Sequence, residues 1–223
     1  MNVVLFGASG MVGRGVLREC MRDPLVSKVV SVGRVEVDER DPKLVQLVCK
    51  DLFDLDGIET HLSGMDACFF CLGVSSAGMT EEQYRRLTFD LTFYVASTLS
   101  RLNASMTFIY VSGTGTDSTE RGSVMWARVK GATENMLLRM PFKAAFMFRP
   151  GVIIPLEGIK SKTRSYQLFY DVFGPVLRLI YRIRPGSMTT TELLGRAMLQ
   201  LARDGGPEKI LDGAAISAAA RRR

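Results

Sequence analysis

The chain has 223 residues, of which 47% are hydrophobic and 23% charged, with a net charge of +6. That length suits one α/β domain with a small appended lobe and can bury a sizeable core, and the balance is that of an ordinary soluble globular protein. The basic residues are scattered, which fits an anionic ligand such as a phosphorylated cofactor and makes no case for nucleic acid.

Val3 to Phe6 is a short apolar run of the kind that forms a buried strand. Gly7, Gly10 and Gly13 follow, and a helical pattern runs from Met11 to Met21. The spacing G-x-x-G-x-x-G between a strand and a helix is a variant of the dinucleotide fingerprint. In that motif the first glycine makes the tight turn. The second lets backbone approach a pyrophosphate, and the third lets helix and strand pack closely. Phosphates would rest on free N–H groups at the positive end of the helix, so Gly7, Ser9, Gly10, Met11, Val12 and Gly13 are the candidate cradle.

Lys28 to Gly33 reads as the second strand. A residue at its end stands beside the adenosine ribose in dinucleotide folds: an acid there suits NAD, an arginine the 2′-phosphate of NADP. Arg34 holds that place and favours NADP over NAD, although Glu36 and Asp38 are close enough to supply a carboxylate. Leu44 to Cys49 is a third strand, followed by Asp51-Leu52. Asp51 can accept from an adenine amino group or cap a short helix over residues 54–60. Ala67 to Leu72 is the fourth strand, and Leu72-Gly73 at its end allows close approach of a ligand to backbone.

Thr80 and Gln83 form a capping-box pattern that opens a helix running to about Asn103. Tyr84, Leu87, Leu91, Tyr94, Val95, Thr98 and Leu102 recur at helical spacing on its core side. Met106 to Ser112 is the fifth strand, and the hydroxyls that follow it, Ser112 and Thr114, face the crevice where such sheets bind ligands. A second long helix spans about Gly122 to Met140 and places Trp126 and Lys130 on one face. Lys143 to Phe148 is the sixth strand, after which Arg149-Pro150-Gly151-Val152 turns the chain.

From residue 156 the composition changes. Gly158 to Arg164 is basic and loop-like, and Tyr166 to Arg184 carries an aromatic, basic amphipathic pattern. A packed lobe, a lid, a homodimer surface or a membrane-surface helix would each account for it. One of Thr189, Thr190 and Thr191 caps a last helix, Glu192 to Arg203, and Lys209 to Leu211 adds a short strand. The whole is a Rossmann-like, doubly wound, mostly parallel α/β sheet over residues 1–155, with a small, dependent C-terminal lobe over 156–223.

Negative signals narrow the chemistry. His61 is the single histidine, so no histidine triad or histidine-rich metal site can be built, and it reads as a surface residue. Cys68 and Cys71 form a C-x-x-C, but alternation in a strand turns them to opposite faces, which argues against a redox pair or metal site. Reduced, buried thiols and no signal peptide fit a cytoplasmic protein. No run of about 20 apolar residues suggests a transmembrane helix.

Taken together, Gly7 to Gly13, Arg34, Asp51-Leu52, Ser112, the Trp126 to Lys130 segment and Arg149 to Gly151 resemble the short-chain dehydrogenase/reductase superfamily. The likeness is to its atypical, extended-like members, the Tat-interacting-protein group and bacterial NAD(P)-dependent epimerase/dehydratase-like proteins, and it covers residues 2–212. It implies an NADP-dependent oxidoreductase or epimerase-like enzyme acting on a small carbonyl or hydroxyl substrate. Active members of the family use a Ser–Tyr–Lys set. The tyrosine transfers a proton, the lysine lowers its pKa and holds the nicotinamide ribose, and the serine orients the carbonyl. Ser112 or Thr114 matches the serine and Lys130 the lysine, which also makes Lys130 a cofactor contact. The tyrosine position falls on Trp126, and an indole N–H cannot serve as an acid or base near neutral pH. Tyr110, Tyr166 or Tyr170 would have to replace it. Otherwise the protein is a non-catalytic NADP-binding regulator or scaffold. Loss of a positioned general acid typically costs about 10²- to 10⁴-fold in rate.

Overall fold

The computed structural model describes residues 1–154 and 189–222. The amino-terminal half alternates strands and helices: β1 (Asn2–Phe6), α1 (Met11–Arg22), β2 (Lys28–Gly33), β3 (Leu44–Val48), α2 (Glu59–Leu62) and β4 (Ala67–Phe70). Then come α3 (Glu81–Arg85), α4 (Leu91–Leu102), β5 (Thr107–Val111), α5 (Met125–Arg139), β6 (Ala144–Arg149) and β7 (Ile153–Ile154). The chain ends with β8 (Thr189–Thr190), α6 (Thr191–Asp204), β9 (Ile210–Asp212) and α7 (Gly213–Ala219).

Seven strands form one sheet in the order β3-β2-β1-β4-β5-β6-β9, and every pairing is parallel. The order reverses between β1 and β4, which is where open α/β sheets leave a crevice at the carboxyl ends of the strands. The inner strands β1, β2, β4, β5 and β6 are buried on both faces, while the edge strands β3 and β9 are partly exposed. Val3 and Leu5 of β1 point into one core with Ala67 and Phe69, while Val4 and Phe6 point into the other with Cys68 and Phe70. Helices α1, α6 and α7 cover the first core, and α2, α4 and α5 the second. Phe6, Phe70 and Phe108 stack across three neighbouring strands in the second core, with ring centroids 5.5 and 5.9 Å apart. Such offset aromatic contacts add to plain burial.

The thiols lie as alternation requires. Cys68 is buried in one core, Cys71 packs against the other, and all four cysteines are free. His61 is exposed. Thr80 makes the full capping box with Gln83. Beyond it the sequence reading is corrected. Arg86–Asp90 is a π-helical turn between α3 and α4. A π turn inserts extra residues per turn, so the stripe that begins at Tyr84 continues through Thr88 and Leu91, and Leu87 swings outward to 39% exposure.

Of residues 189–222, α6, β9 and α7 pack on or pair with the main sheet, and β8 pairs with β7. Thr190 caps α6 by accepting from the Leu193 N–H at 3.1 Å. β9 pairs with β6, and α7, capped by Asp212, covers the end of the sheet. The small parallel pair β7–β8 and helix α7 are elements the sequence did not announce. The basic and aromatic stretches over 158–164 and 166–184, with Tyr166 and Tyr170, lie outside the described residues. No described helix is long and apolar enough to cross a membrane.

α6 reaches α1 at close range. A Cβ on Gly15 would stand 2.4 Å from Thr191 Cβ, so the helices can cross here only because Gly15 has no side chain. Arg196 closes the crossing by donating to Glu19 at 3.1 Å. Gly15→Ala should therefore lower unfolding stability by about 1–3 kcal/mol, the usual cost of overpacking. Denaturant unfolding reads this directly, and wild-type stability in that variant would show that the crossing has slack.

Candidate functional site

The cradle at the start of α1 is built from backbone. Gly7 leaves β1 at φ +83°, a conformation that favours glycine, and a Cβ there would lie 2.7 Å from the Cys71 carbonyl carbon and the Leu72 nitrogen. A Cβ on Gly13 would lie 2.1 Å from the Gly7 carbonyl oxygen. The turn is closed by the Gly10 N–H donating to Gly7 O at 2.9 Å. Gly10 is the N-cap of α1, no side chain caps the helix, and no acid stands in its first turn. The positive end of a twelve-residue helix is thus left open to an anion. In the same turn the buried Nε of Arg14 has no hydrogen-bond partner among the described residues.

A cavity of about 320 Å³ opens beside this cradle. Gly7 and Ser9 line it from the turn, Arg34 from the end of β2, Leu52 from the loop after β3, and Leu72 from the end of β4. Four separate segments named from sequence thus converge on one space. Arg34 is exposed at its rim. Glu36 is drawn away into an ion pair with Arg40 at 3.4 Å, and neither Glu36 nor Asp38 lines the cavity. Asp51 accepts from the Phe53 N–H at 2.9 Å, which makes it the cap of a tight turn rather than of the helix. Met11, Val12 and Gly13 form the first turn of α1, and Gly73 lies exposed beyond Leu72. An open helix end, an orphaned arginine nitrogen and a glycine-only cradle fit a dinucleotide diphosphate.

A second cluster forms at the ends of β5 and β6, with α5 above it. Ser112 Oγ donates to Glu134 Oε1 at 2.5 Å and lies 3.0 Å from the Phe148 carbonyl oxygen. The Arg149 guanidinium grips the same carboxylate, with Nη2 at 2.5 Å from Oε2 and Nε at 3.1 Å from both oxygens, and Nη2 also reaches Ser118 Oγ. Lys130 Nζ donates to the Ser112 backbone carbonyl. Burial pushes the Lys130 ammonium down to about 8, while Glu134, one helical turn away, pulls it back up. Thr114 lies exposed at the mouth, its hydroxyl donating to the Arg149 carbonyl at 3.2 Å. Gly151 packs against Thr114, and Val152 is partly exposed beside it.

These contacts change what each group can offer. A hydroxyl has one proton, and Ser112 spends it on Glu134. Arg149 faces the carboxylate rather than the crevice. Tyr110 points into the second core beside Phe70, hydrogen-bonds Thr133, and has its phenol pushed far up by burial, so it does not reach the crevice. Trp126 is half-buried over Gly115 in the loop after β5. Glu134 is the residue that sequence reading missed. Its one signal is that it is the only acid in α5, placed four residues after Lys130 among buried neighbours.

A seven-stranded parallel sheet with a glycine cradle at its switch point and a lysine on the helix after β5 defines a short-chain dehydrogenase/reductase-type fold. Protein HTATIP2 of Rattus norvegicus is 27% identical over 228 residues, covering 94% of this chain and 92% of its own length. Protein FMP52, mitochondrial, of Saccharomyces cerevisiae is 26% identical over 187 residues, covering 82% and 78%. A variant of ElxO solved with NADPH bound superposes with a TM-score of 0.69 at 15% identity, over 97% of this chain and 98% of that one. No family model matches the chain. In sequence the chain is thus similar to HTATIP2 and FMP52, and in fold to short-chain dehydrogenases.

The loop between β5 and α5 depends on Asp117. Its carboxylate accepts from the Thr119 hydroxyl and N–H and from the N–H groups of Arg121 and Gly122, and these bonds hold it down to about 2. A value below the ordinary 3.8 adds stability that is complete above about pH 4 and lost as pH falls toward 2. Asp117→Ala should lower the melting temperature at pH 7, with the gap to wild type shrinking between about pH 4 and 2. A gap that stays constant with pH would contradict this account.

Proposed function

We propose that the chain is an NADP-dependent oxidoreductase or epimerase-like protein acting on a small carbonyl or hydroxyl compound, with a degenerate Ser–Tyr–Lys set. The observation that carries this reading is the open, uncapped start of α1 beside a cavity with Arg34 at its rim. Gly7 to Gly13 would hold the diphosphate, Arg34 the 2′-phosphate, and Leu52 and Leu72 the walls around the nucleoside. The bound nucleotide supplies hydride transfer at its nicotinamide ring. Lys130 is the group in the β5–α5 cluster whose proton is exchangeable near neutral pH, since Tyr110 is sealed in the core. Thr114 is exposed at the mouth, while Ser112 is buried with its hydroxyl on Glu134, although both hydroxyls donate within the protein, Thr114's to the Arg149 carbonyl.

One observation favours a second reading, a nucleotide-loaded regulator or scaffold. Trp126 stands where the phenol belongs, and the Ser112 proton is already committed to Glu134. Two members of the proton-transfer set are therefore missing from their usual work.

Trp126 is the single tryptophan, so energy transfer from it to reduced nicotinamide reports binding. NADPH should bind more tightly than NADH, and Arg34→Ala should remove about 10- to 100-fold of that preference, the worth of a charge-assisted hydrogen bond. Tighter NADH binding, or no binding at millimolar nucleotide, would overturn the reading. Turnover of NADPH with a carbonyl panel separates the two alternatives. Activity in wild type that is lost in Lys130→Ala supports the enzyme. Activity that emerges only in Trp126→Tyr supports the regulator.

A further inference from the structure

We propose that Glu134 is a positioning residue for Lys130: its sealed carboxylate anchors Ser112 and Arg149 as one rigid unit and holds the Lys130 ammonium charged at the Ser112 carbonyl. Only the use to which the charged lysine is put rests on the nucleotide reading above.

Glu134 is fully buried, and a carboxylate taken out of water costs several kcal/mol unless it is paired and hydrogen-bonded. Here both oxygens are satisfied, by Ser112 Oγ on one side and by Arg149 Nε and Nη2 across both. The carboxylate therefore has no freedom to turn. It joins three elements, β5, β6 and α5, and through the Arg149–Ser118 bond it also ties down the loop after β5. Lys130 is four residues earlier on the same helix, on the same face as Glu134. Its Nζ donates to the carbonyl of Ser112, the residue whose hydroxyl Glu134 holds and whose N–H is fixed to Phe148 O at 2.8 Å.

Among the described residues the charges around Lys130 are few. Glu134 on α5 is the anion and Arg149 on β6 the cation that partly offsets it. Arg128, on the same helix, is turned to Glu81 of α3 at 2.6 Å. Tyr84 on α3 and Tyr110 on β5 are buried, with phenols pushed up, and stay neutral. Burial favours the neutral lysine, and Glu134 is the group that opposes this. Without the carboxylate, Lys130 would be neutral over more of the physiological range and would lose its hold as a cationic donor.

Side-chain NMR of the full chain, labelled at lysine and glutamate and free of nucleotide, tests this. The Lys130 resonance should titrate with a midpoint of about 8 in wild type. Glu134→Gln should move that midpoint down by about one unit, and Glu134→Asp, which keeps the charge, should restore most of it. A midpoint unmoved in Glu134→Gln overturns the proposal, because a packing role alone leaves it in place. Should Glu134→Gln fail to fold, wild type suffices: the Glu134 carboxyl carbon should inflect at the Lys130 midpoint, and a flat trace there overturns the coupling. No nucleotide enters these titrations, so failure of wild type to bind NADPH would remove the functional reading and leave this one standing.

Discussion

The contact on which the molecule turns is one of backbone against backbone, where α1 leaves β1. Gly13 meets the Gly7 carbonyl, and Gly7 meets the end of β4, at distances that admit no side chain. This closeness does two things at once. It seats α1 on the sheet so that Val16, Leu17 and Cys20 fill one core. It also brings the helix end, with its unpaired N–H groups, to the point where the strand order reverses. The packing of α1 and the open helix end therefore rest on the same glycines, and neither can be altered without the other.

Further along the sheet the logic is different. At β5 and β6 the chain spends charge rather than backbone. A buried carboxylate is gripped by an arginine and a serine, and a lysine is parked one turn away. The same family resemblance that points to a Ser–Lys pair thus meets a serine used as a strut. The two halves of the crevice are unequal: the cradle is complete, while the place of the phenol holds an indole that covers Gly115.

Much of this was readable from the amino acids because it depends on local rules. The glycine spacing, the Thr80–Gln83 box and the opposite faces of Cys68 and Cys71 each follow from a period or a turn requirement, and the structure has them all. Leu87 was misplaced because a π turn has no signature in a 3.6-residue pattern. The β7–β8 pair was invisible because two residues carry no period. Glu134 was missed for a deeper reason. Its partners Ser112 and Arg149 lie on two other elements, 22 and 15 residues away, and only the sheet brings them together. The direction of a hydroxyl proton is equally a property of three dimensions, which is why Ser112 could be named but not assigned.

The α1–α6 crossing has a consequence for how the chain comes to be folded. Arg196 and Glu19, which seal it, are separated by 177 positions. During synthesis α1 emerges well before α6, so its α6 side stays bare until that helix has followed. Contacts of such long range close slowly. Nascent protein would thus pass through a stage with an uncovered apolar flank, open to self-association and in want of a chaperone.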